Sequence, residues 1–149
     1  GDLSVDTGSY FREMGQHIES WIHTNKVFDA QAVEERMANE QAQAIYELDR
    51  CIECGCCLAA CATRLMREDF IGAAGLLRLA RFLADPRDQR GNGEAFKAIG
   101  TDDGIFGCIG LLACDDYCPK KLPLEKQLAY MRRRMLRAGL QSRSSPSGR

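Results

Sequence analysis

Eight cysteines carry the clearest chemistry in this chain, and they fall into two short groups. Five lie between Cys51 and Cys61, and three lie between Cys108 and Cys118. Cysteines packed this densely are typical of metal ligation, because disulfide frameworks of small secreted domains spread their cysteines across loops. We therefore expect both groups to bind metal.

The first group has the spacing of a loop that wraps a cubane iron–sulfur cluster. Residues 51–61 read CIECGCCLAAC, which without Cys56 is C-x2-C-x2-C-x3-C. In this pattern the first three thiolates bind one cluster and the fourth binds a second cluster. Cys56 falls outside the spacing, and we interpret it as a small packing residue.

The second group repeats the frame with one ligand missing. Residues 108–119 read CIGLLACDDYCP, with Leu111 where the second cysteine would stand. Exchange of the fourth ligand between the motifs predicts a [4Fe–4S] site, made by Cys51, Cys54, Cys57 and Cys118. Because leucine cannot bind iron, the other site is predicted to hold [3Fe–4S] through Cys61, Cys108 and Cys114.

A structural zinc module is the main alternative for these thiols. Such modules have two paired knuckles and four ligands in all, whereas here one frame is repeated and ends in Cys118-Pro119. The pattern favours iron–sulfur clusters over zinc. It also disfavours disulfides, since an odd number of in-frame thiols leaves no natural pairing.

Small and basic residues surround the predicted ligands. The small ones would let backbone N–H groups approach cluster sulfurs, or would simply pack helices: Gly55, Ala59, Ala60, Gly107, Gly110 and Ala113. The basic ones would offset cluster charge, or would simply be solvated: Arg64, Arg67, Lys120 and Lys121. The run Arg132–Arg134, with Arg137, is interpreted as a solvated helix face, with a docking or membrane-proximal role as a minority hypothesis.

The rest of the chain has helical periodicity and no sustained alternation, which predicts an all-α fold. A first helix opens at Thr7 or Ser9 and carries the stripe Phe11, Met14, Ile18, Trp21 and Ile22. A second starts after Asp29 and runs through Val33 and Met37. A third is capped by Asp69, buries Leu76, Leu79, Ala80 and Leu83, and stops at Asp85-Pro86.

Two further helices follow. A turn at 91–93 precedes a short helix that ends at Gly100. Pro123 opens the last helix, which Gly139 closes and whose apolar face carries Leu124, Leu128, Met131 and Met135. We expect Met131 and Met135, with Trp21 and Ile22, to be partly open docking surface.

These elements predict one helical domain over 1–140, with leading helices in 1–46, a cluster-binding core in 47–140 and a disordered tail at 141–149. The apolar content of 45% suffices for a modest core. A net charge of −1 gives no global attraction to nucleic acid. No apolar run approaches the roughly 18 residues of a membrane span.

The two motif regions resemble a known family. Residues 51–88 and 102–124, and the upstream stretch 1–23, are similar to the C-terminal domain of the iron–sulfur subunit of fumarate reductase and succinate dehydrogenase. The likeness is greatest to the diheme, cytochrome b-linked fumarate reductases. It rests on seven ligands in this order, the gap at Leu111 and the Cys-Pro ending.

This resemblance implies a helical ferredoxin-like domain with [4Fe–4S] and [3Fe–4S] clusters. Such a domain stands between an FAD flavoprotein that interconverts fumarate and succinate and a cytochrome b-type membrane subunit that handles quinone. It implies association with the membrane through partner subunits, at the cytoplasmic face, and no catalytic residue in this chain. The alternative is a free-standing dicluster ferredoxin or a heterodisulfide-reductase-like electron carrier.

Two departures from the family limit what is carried over. The family's [2Fe–2S] domain has C-x4-C-x2-C spacing, which this chain does not contain; the domain is expected elsewhere, if the sequence is a fragment or the subunit is split. Some relatives have tryptophan and histidine where Leu65 and Ile109 stand here. No quinone site is therefore assigned to this chain, and electrons are expected to leave toward heme.

Overall fold

The computed structural model describes residues 4–27, 29–31 and 36–144, and this part of the chain contains helices and no strand. The α-helices are α1 Gly8–His17, α2 Asn39–Asp49, α3 Cys56–Ala59, α4 Ala62–Met66, α5 Gly72–Ala84, α6 Asn92–Ile99, α7 Ala113–Asp116 and α8 Leu124–Ser144. One 3-10 helix spans Ile105–Gly107. The all-α prediction is confirmed. Within the described residues, no helix combines the length and apolarity that crossing a bilayer needs.

Helix α5 lies at the centre of the fold. Its sequence is apolar around most of its circumference, as expected of a helix enclosed on all sides. Leu76, Leu79 and Ala80 have 1%, 0% and 0% of their surface exposed. Helices α2, α3 and α8 pack against α5, and α6 packs against α8. The predicted stop at Asp85 is confirmed, and of the predicted buried stripe Leu76, Leu79 and Ala80 are buried whereas Leu83 is only partly buried.

Helix α8 closes the core with the apolar face predicted for it. Leu124 and Leu128 are buried, and Met131 and Met135 are completely enclosed in the same core as α5. The expectation that these two methionines form docking surface is therefore wrong. The helix also runs past Gly139 to Ser144, so the predicted end at Gly139 is wrong. Of the predicted tail, residues 145–149 lie outside the described residues.

The predicted N-terminal helices are partly wrong. Helix α1 ends at His17, so Trp21 and Ile22 lie beyond it, and Trp21 is exposed. Residues 29–31 and 36–38 are not helical, and residues 32–35 of the predicted second helix lie outside the described residues. The second helix observed is α2, which begins at Asn39 in a stretch rich in glutamine and alanine. This helix crosses the predicted boundary at residue 46 between the leading helices and the cluster-binding core. Its Leu48 lies in the core that also contains Met14 of α1.

Two other predicted boundaries also differ, the first of them because a tertiary contact overrides the local signal. Asp69 does not cap α5, which begins at Gly72 after the Ile71 N–H has bonded to the Asp103 carbonyl at 2.8 Å. Gly91 is the residue before α6, so the predicted turn at 91–93 is instead the first turn of that helix. The predicted end of α6 at Gly100 is confirmed.

A buried ion pair fastens the segment after α1 to the loop between α5 and α6. The side chains of Arg90 and Asp88 are 4% and 1% exposed and lie 2.7 Å apart. Arg90 also donates to the carbonyls of Ile18, Glu19 and Trp21 at 2.9, 3.2 and 3.2 Å. Burial raises the pKa of the Asp88 carboxyl, but the hydrogen bonds and charge of Arg90 outweigh burial and hold that pKa below its usual value. Arg90 therefore accounts for the early end of α1, since these carbonyls bond to a side chain.

We expect Arg90→Ala to destabilise the protein by about 3–5 kcal/mol, because it leaves the Asp88 carboxylate and the freed carbonyls buried without a partner. Denaturant unfolding followed by circular dichroism measures this, and amide exchange should rise first in residues 18–25. Arg12→Ala is the matched control, since Arg12 is an exposed arginine of α1. Equal unfolding midpoints for the two variants would contradict the structural role of Arg90.

Candidate iron-sulfur cluster sites

Two cavities are lined by the in-frame cysteines, and they divide these residues as the crossed spacing predicts. The first cavity is lined by Cys51, Cys54, Cys57 and Cys118, among other residues. The second is lined by Cys61, Cys108 and Cys114, together with Leu111. Each cavity thus takes thiols from both motifs. Apolar side chains complete the first cavity, among them Leu77 of α5 and Leu124 of α8.

The two motifs have matching backbone conformations at three corresponding positions. Glu53 and Gly110 both have positive φ, at 53° and 76°. Gly55 and Leu112 are left-handed, with φ and ψ of 75° and −3° against 58° and 10°. Each then precedes a one-turn helix, α3 or α7, whose next residue has nearly the same dihedral angles in both motifs. The chain therefore contains an internal structural repeat as well as a sequence repeat.

Leu111 occupies the position in this repeat that Cys54 occupies in the first motif. Both are the third residue after the first cysteine, and both follow a residue with positive φ. Both side chains are exposed, with Leu111 at 68%. The second cavity therefore has an alkyl group where the first has a thiol.

The cysteines after the short helices reach across to the opposite cavity. Cys61 follows α3 and lines the second cavity, and Cys118 follows α7 and lines the first. This exchange is possible because α3 and α7 pack directly against each other. The backbone is also tightly packed within the loop before Cys108, where a Cβ on Gly107 would lie 1.8 Å from the Asp102 carbonyl oxygen. Only glycine fits this turn into Cys108.

Burial keeps several of these thiols protonated in the absence of iron. Burial raises the pKa of Cys57 to about 12, and the thiolate charges of Cys51 and Cys114 add to the rise. Burial raises the pKa of Cys114 to about 11, helped by Cys108. Thiols bind iron as thiolates, so cluster binding here must release protons.

The donor set fits a polynuclear cluster. Among the described residues, no three His, Cys, Asp or Glu side chains converge as ligands of a single ion would. The cysteines of a cubane bind different iron atoms, so they surround the cluster rather than one point. Two cysteine-lined, mostly apolar cavities are a suitable arrangement for such groups.

Two arginines that the spacing did not single out contact the ligand loops. Arg78 of α5 forms an ion pair with Glu53, and its charge opposes the effect of burial, which raises the pKa of Cys51. Arg132 of α8 donates to the Cys108 carbonyl, so its interpretation as a solvated residue is wrong. The helical periodicity of α5 and α8 was the only sequence signal that could have pointed to these two arginines. It does not indicate which loop each helix face contacts.

Three of the four basic residues expected near the ligands have other partners. Arg64 stacks over the ring of Tyr10 and donates to the Phe70 carbonyl at 3.1 Å. Arg67 pairs with Asp103. Lys121 donates to the Asp116 carbonyl at 3.0 Å, and Lys120 lines the first cavity.

Cys56 and Tyr10 also differ from what the sequence suggested. Cys56 is exposed, so its interpretation as a packing residue is wrong. Tyr10 went unnoticed as a residue near the sites. Its hydroxyl donates to the Ile71 carbonyl, and burial, together with the thiolates of Cys57 and Cys61, raises its pKa, although Arg64 opposes this.

Comparison with known proteins agrees with this geometry. The pattern of the 4Fe-4S dicluster domain family matches residues 47–122. The fumarate reductase iron-sulfur subunit of Wolinella succinogenes is 58% identical over 135 residues, covering 91% of this chain and 56% of that protein. The succinate dehydrogenase iron-sulfur subunit of Bacillus subtilis is 30% identical over 132 residues, covering 89% and 51%. That of Coxiella burnetii is 30% identical over 136 residues, covering 91% and 56%.

The chain thus spans about half the length of the relatives it matches. The family pattern covers both cysteine motifs and half of the chain. The chain belongs to the 4Fe-4S dicluster domain family.

Proposed function

We propose that the chain relays electrons as part of the iron–sulfur subunit of a fumarate reductase or succinate dehydrogenase. In this proposal a [4Fe–4S] cluster is bound by Cys51, Cys54, Cys57 and Cys118. A [3Fe–4S] cluster is bound by Cys61, Cys108 and Cys114. The observation that carries the proposal is that two cavities each collect in-frame thiols from both motifs. The names of the relatives support the assignment to this class of complex.

Leu111 is the reason for proposing three irons at the second site. It lies between Gly110 and Leu112, whose positive φ angles match those of Glu53 and Gly55 on either side of Cys54, so a thiol here would be positioned like a ligand. The leucine side chain offers no lone pair to iron. A cluster at this site would lack a protein ligand at one corner, which favours loss of the fourth iron.

The chain's own residues would hold the clusters close together and keep water from them. The charge of Cys114 contributes to the raised pKa of Cys57, so the two sites are near neighbours. When bound, the clusters supply one-electron redox chemistry. No acid–base or nucleophilic step is assigned to any residue.

The proposed partners are an FAD flavoprotein, a cytochrome b-type membrane subunit and a [2Fe–2S] domain outside this sequence. Apolar side chains stand exposed at or near the second cavity, with Leu65 at 74% and Ile109 at 58%. Exposed apolar groups next to a redox centre support docking of a partner on this edge. Through such partners the chain would lie at the membrane, on the cytoplasmic face, with electrons leaving toward heme.

Purification from native membranes tests this function. The protein is expected to be brown, to copurify with flavin and heme, and to contain about seven irons per chain beyond those of the heme and of the [2Fe–2S] domain. Leu65→Glu should weaken retention of heme, whereas Val27→Glu should not, because Val27 is 90% exposed and lines neither cavity. A colourless protein containing zinc, or a brown monomer that never retains flavin or heme, would contradict the proposal.

Cluster removal should unfold much of the chain. The ligand loops contain strained non-glycine residues with positive φ, among them Glu53 and Leu112, and helices of a single turn. We expect the clusters to offset this strain, as metals do in other small metal-dependent domains. Anaerobic iron chelation followed by circular dichroism should show loss of helix and of cooperative melting. Native helix content with a sharp melt after chelation would show that the clusters are not needed for folding.

Leu111→Cys should convert the second cluster to four irons. The oxidised wild type should give the EPR signal of a [3Fe–4S] centre, and the variant should lose that signal while gaining about one iron per chain. Because Leu111 is exposed, we expect its loss to destabilise the fold by less than about 1 kcal/mol.

The matched control for that variant is Ile109→Cys. It adds a thiol to the same loop, at an exposed residue that corresponds to Ile52 in the first motif and not to a ligand. It should keep the three-iron signal. If the wild type prepared anaerobically shows no such signal, the assignment of Cys61, Cys108 and Cys114 is wrong.

A further inference from the structure

The first cysteine of each motif has an arginine nearby, contributed by a different helix in each case. Arg78 of α5 lies near Cys51 and forms an ion pair with Glu53 in the same loop. Arg132 of α8 donates to the backbone carbonyl of Cys108. Among the described residues no carboxylate pairs with Arg132. The second loop has Gly110 where the first has Glu53, so it offers no charge to Arg132 at that position.

Arg132 is held where it stands by its neighbours in α8. Met131, directly before it, is fully enclosed in the core, as is Met135 one turn later. Arg132 is therefore directed to the edge of the core, where it is half-buried against the second motif. The next arginine, Arg133, is exposed. Arg134 is engaged elsewhere, with the Leu83 carbonyl at 3.3 Å and the Tyr130 hydroxyl at 2.7 Å.

These contacts give the two sites different electrostatic surroundings. A cluster becomes more negative by one charge when it is reduced, so a nearby cation favours the reduced form. The effect is larger for a half-buried cation than for a solvated one. Arg78 is neutralised by Glu53, whereas the charge of Arg132 is not balanced by a described carboxylate. Its hydrogen bond also orients the backbone of Cys108, as outer contacts of metal ligands do.

We propose that Arg132 is a positioning residue of the second site, which orients Cys108 and raises the reduction potential of the cluster held by Cys61, Cys108 and Cys114. This inference rests on the proposed function. It concerns one residue among three consecutive arginines, and it requires no group beyond those already assigned to the site.

The test compares Arg132→Gln, Arg132→Lys and Arg133→Gln in the full chain purified anaerobically with its clusters. The readout is the EPR signal of the three-iron centre during a redox titration. Arg132→Gln should change the ratio of oxidised to reduced cluster at least tenfold at a fixed potential, toward the oxidised form, which is a fall of about 59 mV for one electron. In Arg132→Lys the reduction potential of the cluster should fall by less, because lysine keeps the positive charge. Arg133→Gln should titrate like the wild type.

The outcomes separate this inference from the proposed function. A wild type without a three-iron signal would refute the ligand assignment itself. A normal wild-type signal with an unchanged potential in Arg132→Gln would refute the role of Arg132 alone. An equal fall in the Gln and Lys variants would likewise refute the role of its charge. If Arg132→Gln cannot retain the second cluster while Arg132→Lys keeps it, the requirement for a cation at this position is supported by the iron count.

Discussion

The exchange of cysteines between two short helices is the constraint on which the structure depends. Cys61 follows α3 and Cys118 follows α7, and each lines the cavity of the opposite motif. Each cavity takes cysteines from both motifs, which requires the contact observed between α3 and α7. The surrounding helices are arranged to permit that contact. Gly72 at the start of α5 is one example, since a Cβ there would lie 2.5 Å from the Leu58 side chain of α3.

The repeat separates what the backbone decides from what the side chains decide. Left-handed residues at matching positions bend both loops around a cavity, and the hydrogen bonds of the turns match, as in Leu58 N–H to Gly55 O at 2.9 Å and Asp115 N–H to Leu112 O at 2.8 Å. Loop shape is thus nearly the same in both motifs. The number of thiols differs only because Leu111 stands in place of a cysteine. A difference in cluster chemistry can therefore arise from one side chain without any change in fold.

Charge is the second physical problem at such sites, because thiolate-bound clusters concentrate negative charge in apolar surroundings. Lys120, close in sequence to Cys118, lines the first cavity, but the two arginines that reach the loops come from distant parts of the chain. Arg78 belongs to the central helix and Arg132 to the last helix. The basic residues close in sequence to the ligands, such as Arg64 and Arg67, instead hold the connection between the motifs together through Phe70 and Asp103. Proximity in sequence was a poor guide to electrostatic partners.

The sequence by itself determined the helical class, the apolar faces of α5 and α8, and the division of the thiols into two groups. These follow from spacings of three or four residues, which one turn or one helix expresses without help from the rest of the chain. Tertiary structure alone decided that Met131 and Met135 are enclosed, that Cys56 is exposed, and that α1 ends where Arg90 binds its carbonyls. Tertiary structure also decided that Arg78 and Arg132 contact the two cysteine loops. Such contacts join residues tens of positions apart, and they depend on which helix faces pack together, a choice that no local spacing records.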